Sequence, residues 1–443
     1  MGDNVFYNFK YKSDKERMYS IFIFAMFLIC VAYLLEIIIC WIFVSPHYLL
    51  LNNSLFFQDF DDSFMDFFNV NYFVKDSDPY FAEGSSYPPL ALSIAKIFSL
   101  MTDYSGGSKV ARSSVGGIIS LTVFFLIFII STYKMIEKRV GGIRAGMVYV
   151  LLFLSAQNLF LIQRGNYLCL TFIFTALFVL MYDSDKRWQR ELSCIFLGMA
   201  TGMKLYPCAF ALILLREKRF SQFFRCVFWS VVFLGAPFIF FKGGFSNAGE
   251  FIKNLTAFGT KGYYIFPVDF VLHMTKYSYD YSSSTFYDLM WRFIGGMNLY
   301  LNRDNFVYEH MLICAIIVII SLFGSFYSEF RWQALLFASL LTVLIPSPSF
   351  IYAGVMLFIP FISFMQEEKK RKFDYVYLCL FIIFFSPFQF GYIIPRFTEQ
   401  LFYGITVSNF ISLIALILML VISFCDVVWG GIRGKEIKKP VYN

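Results

Sequence analysis

Four stretches of this chain have the length and apolarity of membrane crossings: residues 21–44, 117–133, 311–326 and 402–424. A helix needs roughly 20 apolar residues to traverse a hydrocarbon core. Runs of that kind confine the chain to a membrane-embedded fold. Composition agrees: 58% of the residues are hydrophobic and only 15% charged, against roughly a quarter charged in soluble domains. The 59 Phe and 29 Tyr place much aromatic surface in lipid and at its edges. The net charge of +7 superficially suits nucleic acid. The basic residues instead form short clusters between apolar runs, where they act as topology signals.

Those clusters set an orientation. Lys10, Lys12, Lys15 and Arg17 precede the first run. Lys134, Lys138, Arg139 and Arg144 follow the second, and Lys186, Arg187 and Arg190 come next. Arg216, Lys218, Arg219 and Arg225, then residues 369–372, then Arg433, Lys435, Lys438 and Lys439 complete the set. With all of them on the cytoplasmic side, each successive pair is separated by an outgoing and a returning segment. The expectation is an all-α polytopic protein forming a single integral membrane domain over residues 1–443. It has about 12 membrane segments, both termini cytoplasmic, and a retained signal-anchor as its first span.

Two long outward loops follow from this topology, at residues 45–112 and 242–308. The first concentrates acid: Asp59, Asp61, Asp62, Asp66, Asp76, Asp78 and Glu83 precede Tyr87-Pro88-Pro89-Leu90. Its apolar piece at residues 90–101 is too short to span and reads as an interfacial helix. Residues 285–301 of the second loop read the same way. Carboxylates at a bilayer face can accept a proton from a hydroxyl or hold a cation. Asp61 and Asp62 are the pair that could bind a divalent cation, since hard cations prefer oxygen ligands; the plainer reading is a solvated acidic turn. Nine Cys without a Cys-x-x-Cys pair read as small apolar residues. His47, His273 and His310 lack ligand spacing, so no zinc site is expected.

Two cations stand at membrane depth. Residues 192–215 are bracketed by cytoplasmic clusters and so form a short hairpin, with Lys204 at its apex in Met203-Lys204-Leu205-Tyr206-Pro207. A buried charge at membrane depth costs a few kcal/mol and needs a partner. A lipid-carrier phosphate would supply one; snorkelling to outer headgroups is the plainer alternative. Arg164, in Arg164-Gly165-Asn166, either binds phosphate bidentately or caps the outer end of a span.

In order, Asp66-Phe67-Phe68, Tyr80, Tyr87-Pro88-Pro89-Leu90, Arg164-Gly165-Asn166, Gly198 through Lys204-Leu205-Tyr206-Pro207, and Leu214-Leu215-Arg216 resemble glycosyltransferase family 87. The resemblance is best over residues 60–220. It implies a GT-C-type helical bundle that moves a hexose, mannose foremost, from a polyprenyl-phosphate donor to a hydroxyl of a glycolipid or polysaccharide at the outer face, with inversion. The cell membrane implied is the bacterial cytoplasmic one. By the same resemblance Asp66 is the base, and Lys204 and Arg164 stand near the donor phosphate. Asn166, Tyr87 and Tyr206 belong to the matching motifs. A later outer turn departs from the family: Pro348-Ser349-Phe350-Ile351-Tyr352 carries Phe350 for a usual Trp and Tyr352 for a usual His. Tyr352 can supply only a hydroxyl. No cofactor is required by this reading beyond a possible divalent cation. Two rival classes fit the topology: a transporter or flippase of lipid-linked sugars, for which Glu36 in the first span is the candidate intramembrane charge, and a polysaccharide polymerase using lipid diphosphate carriers.

Overall fold

The computed structural model describes residues 14–43, 63–258, 303–345, 351–368, 371, 373–387 and 407–437. Asp59, Asp61, Asp62, residues 285–301 and 346–350, His47, His273 and the side chains of Glu36 and His310 lie outside the described set. Every regular element among the described residues is a helix. In chain order these are α1 (Asp14–Phe43), α2 (Met65–Phe73), α3 (Pro89–Ser99), α4 (Ser108–Ser113), α5 (Val115–Val140), α6 (Gly142–Phe153), α7 (Ala156–Arg164), α8 (Leu168–Met181), α9 (Arg187–Met203), α10 (Leu212–Arg216), α11 (Phe220–Gly235), α12 (Asn247–Phe258), α13 (Arg303–Tyr327), α14 (Arg331–Leu344), α15 (Phe358–Gln366), α16 (Asp374–Phe385) and α17 (Val407–Ile437).

Among the described residues four segments are long and apolar enough to cross a membrane: Asp14–Leu35, Val115–Val140, Phe220–Phe240 and Ile411–Gly430. They carry large exposed apolar side chains, among them Phe24, Ile130, Val231 and Trp429, a surface suited to lipid. The segment Phe220–Phe240 was not among the runs singled out by hydropathy. The run at 311–326 lies in α13, a helix of 25 residues. α6 and α7 are together long and apolar enough to cross but meet at 66°, the geometry of a broken span or a re-entrant loop. Ser155 makes that corner, accepting a hydrogen bond from the Asn158 N–H to cap α7.

The remaining apolar helices are short. At about 1.5 Å per residue, the 14 residues of α8 and of α14 reach only about 21 Å. Both are buried on nearly every face, so they form the inside of the bundle. Hydropathy cannot separate such helices from lipid-facing ones, because protein interior and hydrocarbon are equally apolar.

The α8–α9 hairpin organises everything that follows. Its closed end is the turn around Asp183; its open end carries Asn166 before α8 and Lys204 after α9. The expected hairpin at 192–215 begins earlier, since α9 starts at Arg187 and its first arm is 17 residues. The chain then returns through a 3-10 turn, Tyr206–Ala211, and α10. Arg216 fastens that arm at the far end, donating to the carbonyls of Ser328 and Glu329. Small residues let α9 lie hard against α11. A Cβ on Gly198 would sit 2.6 Å from Trp229 Cβ, and one on Gly202 2.7 Å from Phe233 Cβ. Helices that share no hydrophobic driving force in lipid associate through this kind of close backbone contact.

Candidate active site

Asp66 is the second residue of α2, and the start of that helix is braced from outside. Phe64 has left-handed backbone, φ 63, and offers no side-chain cap. Its N–H donates to the Gln163 carbonyl at 2.6 Å, which docks the first turn of α2 onto the last turn of α7. Gly165 ends α7 at φ 64, and a Cβ there would come within 3.0 Å of Phe67 Cβ. Glycine is the residue that tolerates both the conformation and the approach. Arg164 and Asn166 flank it, and both therefore reach Asp66. Arg112 adds a strut, donating to the Ser63 carbonyl at 3.0 Å. Below, Phe67 stacks on Tyr167, whose hydroxyl donates to Asn71 Oδ1 at 2.6 Å.

The resulting geometry is specific. Arg164 donates Nε at 3.2 Å and Nη2 at 2.6 Å to Asp66 Oδ1. Asn166 Nδ2 donates to Oδ2 at 2.7 Å, and Asn166 Oδ1 is held by the Leu168 N–H at 2.9 Å. A carboxylate offers about four lone-pair sites. Both on Oδ1 are taken and one on Oδ2 is left, so Oδ2 is the atom able to receive a proton.

The other residues singled out in the sequence gather around this carboxylate. Lys204 follows α9 in extended conformation, φ −146, ψ 135. Pro207 opens the 3-10 turn just beyond and cannot continue a helix. The Lys204 ammonium lies 4.5 Å from the ring centroid of Tyr87, a cation–π contact. Tyr87 is set by Pro88 and Pro89 at the start of α3. Its carbonyl accepts from Tyr80 Oη at 3.2 Å. Asn254 of α12 ties the same loop, donating to the Tyr80 carbonyl at 2.8 Å. The Tyr352 hydroxyl accepts from Asn166 Nδ2 at 3.2 Å, and its ring stacks on Phe160. Tyr206 lies close enough to act electrostatically on Tyr87 and Tyr352. Residues from four distant parts of the chain thus share one chamber.

Asp66 is deep in the protein yet keeps 15% of its side-chain surface accessible, and Arg164 keeps 18%. Tyr87, Lys204 and Tyr206 are likewise half-buried, whereas Asn166 and Tyr352 are buried. That pattern describes a recess with the carboxylate in its wall. Loss of solvent pushes the Asp66 carboxyl up to about 6, against the opposing pull of the Asn166 hydrogen bond and the Lys204 ammonium. The Arg164 guanidinium opposes the rise as well. At neutral pH Asp66 is ionised and is a stronger base than an ordinary carboxylate. Arg164 balances it, and Lys204 has no ion-pair partner among the described residues. Among the described residues the recess therefore carries one positive charge in excess, which suits an anion.

No group of three or more His, Cys, Asp or Glu residues with metal-binding geometry occurs among the described residues. Sequence reasoning did not find the bracing set of Arg112, Asn71 and Tyr167. No local motif marks them, because each acts on a partner far away in the chain. Residues 86–348 match glycosyltransferase family 87. No curated protein and no solved structure matches the chain. The matched region includes Tyr87, Arg164, Asn166, Lys204 and Tyr206, while Asp66 and Tyr352 fall just outside it. It covers more than half of an all-helical chain with membrane-length apolar segments, and the chain belongs to glycosyltransferase family 87, a membrane glycosyltransferase.

Proposed function

We propose that the enzyme is a GT-C-type transferase that moves a hexose, mannose foremost, from a polyprenyl-phosphate donor to a hydroxyl of a glycolipid or polysaccharide at the outer membrane face. The observation that carries this reading is the presence of a proton-accepting carboxylate, Asp66, and a cation without an ion pair among the described residues, Lys204, in a single recess. The acceptor O–H is bound at Asp66 Oδ2. As the oxygen attacks the anomeric carbon, its proton passes to Oδ2. The bond from that carbon to the phosphate oxygen breaks, and its electron pair leaves with the lipid phosphate. Lys204 stabilises the charge gained there. Attack opposite the leaving group inverts the anomeric centre.

Arg164 has a different role in this scheme from direct phosphate binding. Its two hydrogen bonds to Oδ1 fix the carboxylate so that Oδ2 faces the acceptor. Asn166 and Tyr352 hold the other side of that alignment, and Tyr87 and Tyr206 line the path to Lys204. Long helices, the bent α6–α7 pair and shorter apolar helices among the described residues accord with a bundle of about 12 membrane segments, some of them too short for a full crossing. The basic clusters then keep both termini inside the cytoplasmic membrane and the recess outside.

The test is transfer of labelled hexose from a synthetic polyprenyl-phospho-hexose by the purified full chain. The expected result is release of polyprenyl phosphate with formation of an inverted glycoside, abolished in Asp66→Asn. Full activity of Asp66→Asn, or a demand for a sugar nucleotide, refutes the assignment.

A further inference from the structure

A second recess lies at the closed end of the α8–α9 hairpin, a helix length away from Asp66. Its wall is apolar, with Ile136, Phe172, Val179 and Ile359 from α5, α8 and α15. Two guanidinium groups line it, Arg139 at the end of α5 and Arg331 at the start of α14. One carboxylate answers them: Arg331 pairs with Asp183. Arg139 is exposed and forms no hydrogen bond or ion pair among the described residues. Two polar atoms in the lining are buried without a hydrogen-bond partner, Thr132 Oγ1 and Arg331 Nε. Unsatisfied buried donors beside an uncompensated cation cost stability, and an anion with acceptor oxygens would satisfy them.

The apolar wall excludes a bare inorganic anion as the natural occupant, since it offers such an ion nothing. Arg139 opens the recess to the surface on α5, and the same helix exposes Ile127 and Ile130 on a face suited to lipid. The site lies at the end of this membrane-length apolar helix and is remote from the transfer chemistry. We propose that it binds an anionic glycerophospholipid of the surrounding bilayer. The phosphate sits between Arg139 and Arg331, and an acyl chain lies along the apolar wall.

The experiment is native mass spectrometry of the purified full chain exchanged into phosphatidylglycerol, phosphatidylcholine or a polyprenyl phosphate. Thermal unfolding is followed in parallel, because a ligand of the folded state raises the transition. The expected result is a retained phosphatidylglycerol adduct, favoured about tenfold over phosphatidylcholine. It falls by about tenfold in Arg139→Gln, disappears in Ile362→Trp, which fills the wall, and persists in Lys204→Gln. Equal retention of the two phospholipids, or an adduct indifferent to both Arg139→Gln and Ile362→Trp, overturns the proposal. So does protection by inorganic phosphate equal to that by phosphatidylglycerol. Loss of the polyprenyl-phosphate adduct in Arg139→Gln would assign the site to the lipid carrier instead.

Discussion

Replacing Asp66 by Asn keeps the shape of the side chain and removes its charge and its basicity. Two separable effects follow. Catalysis loses a general base, a loss of about 10²–10⁴-fold in kcat. Stability loses an ion pair whose members keep only 15% and 18% accessibility. Such a pair lies between an exposed one, worth about 0–1 kcal/mol, and a fully buried one, whose breakage costs about 3–5 kcal/mol. About 2–3 kcal/mol is therefore expected here, because the Arg164 guanidinium loses its ion pair with Asp66. The double variant Asp66→Asn with Arg164→Gln also removes the charge that Asp66 had balanced. It is expected to regain most of the lost thermal stability while recovering no activity. The assay pairs labelled-hexose transfer, for kcat and acceptor KM, with thermal unfolding in detergent. Asp66→Asn within threefold of the parent rate would refute the base assignment. Recovery of rate in the double variant would show that Asp66 serves only to neutralise Arg164.

Three further outcomes follow from the geometry. A general base works only when deprotonated, and the Asp66 carboxyl is raised to about 6. The rate should therefore fall about tenfold per unit as pH drops below that value, and fall again above about 8, where burial lets the Lys204 ammonium lose its proton; a profile that holds down to pH 4 contradicts the burial argument. Lys204→Gln should lower kcat/KM for the donor by about 10²-fold through lost charge stabilisation and leave acceptor KM unchanged, whereas Tyr87→Phe, which keeps the ring under the ammonium, should stay within about threefold. Gly198→Leu should abolish the folded, monodisperse protein, because even a Cβ would approach Trp229 Cβ to 2.6 Å. Normal thermal stability in that variant would contradict the close α9–α11 packing.

The parts legible in the sequence are those governed by local chemistry. The spans around α1, α5 and α17 are visible because 20 or so apolar residues in a row have few alternatives. The break between α6 and α7 is hidden, since residues 142–164 contain no proline and only the capping Ser155 turns the chain. The short core helices α8, α14 and α16 are not distinguished from lipid-facing ones by hydropathy, because burial in protein and burial in lipid select the same residues. At the site, Asp66, Arg164, Asn166 and Lys204 stand out as charged or amide groups in apolar surroundings. Their partnerships do not. Asp66 and Arg164 are 98 residues apart, and the capture of Arg164 by Asp66 depends on the close approach of α2 to Gly165. Asp61 and Asp62, the candidate cation pair, lie outside the described residues.

The account rests on one recess handling both ends of the transfer. A structure of the full chain with a non-transferable polyprenyl-phospho-hexose analogue tests this most directly. The account predicts the phosphate within about 3 Å of Lys204 Nζ and the anomeric carbon turned toward Asp66 Oδ2. A donor phosphate seated between Arg139 and Arg331, at the opposite end of the α8–α9 hairpin, would contradict it.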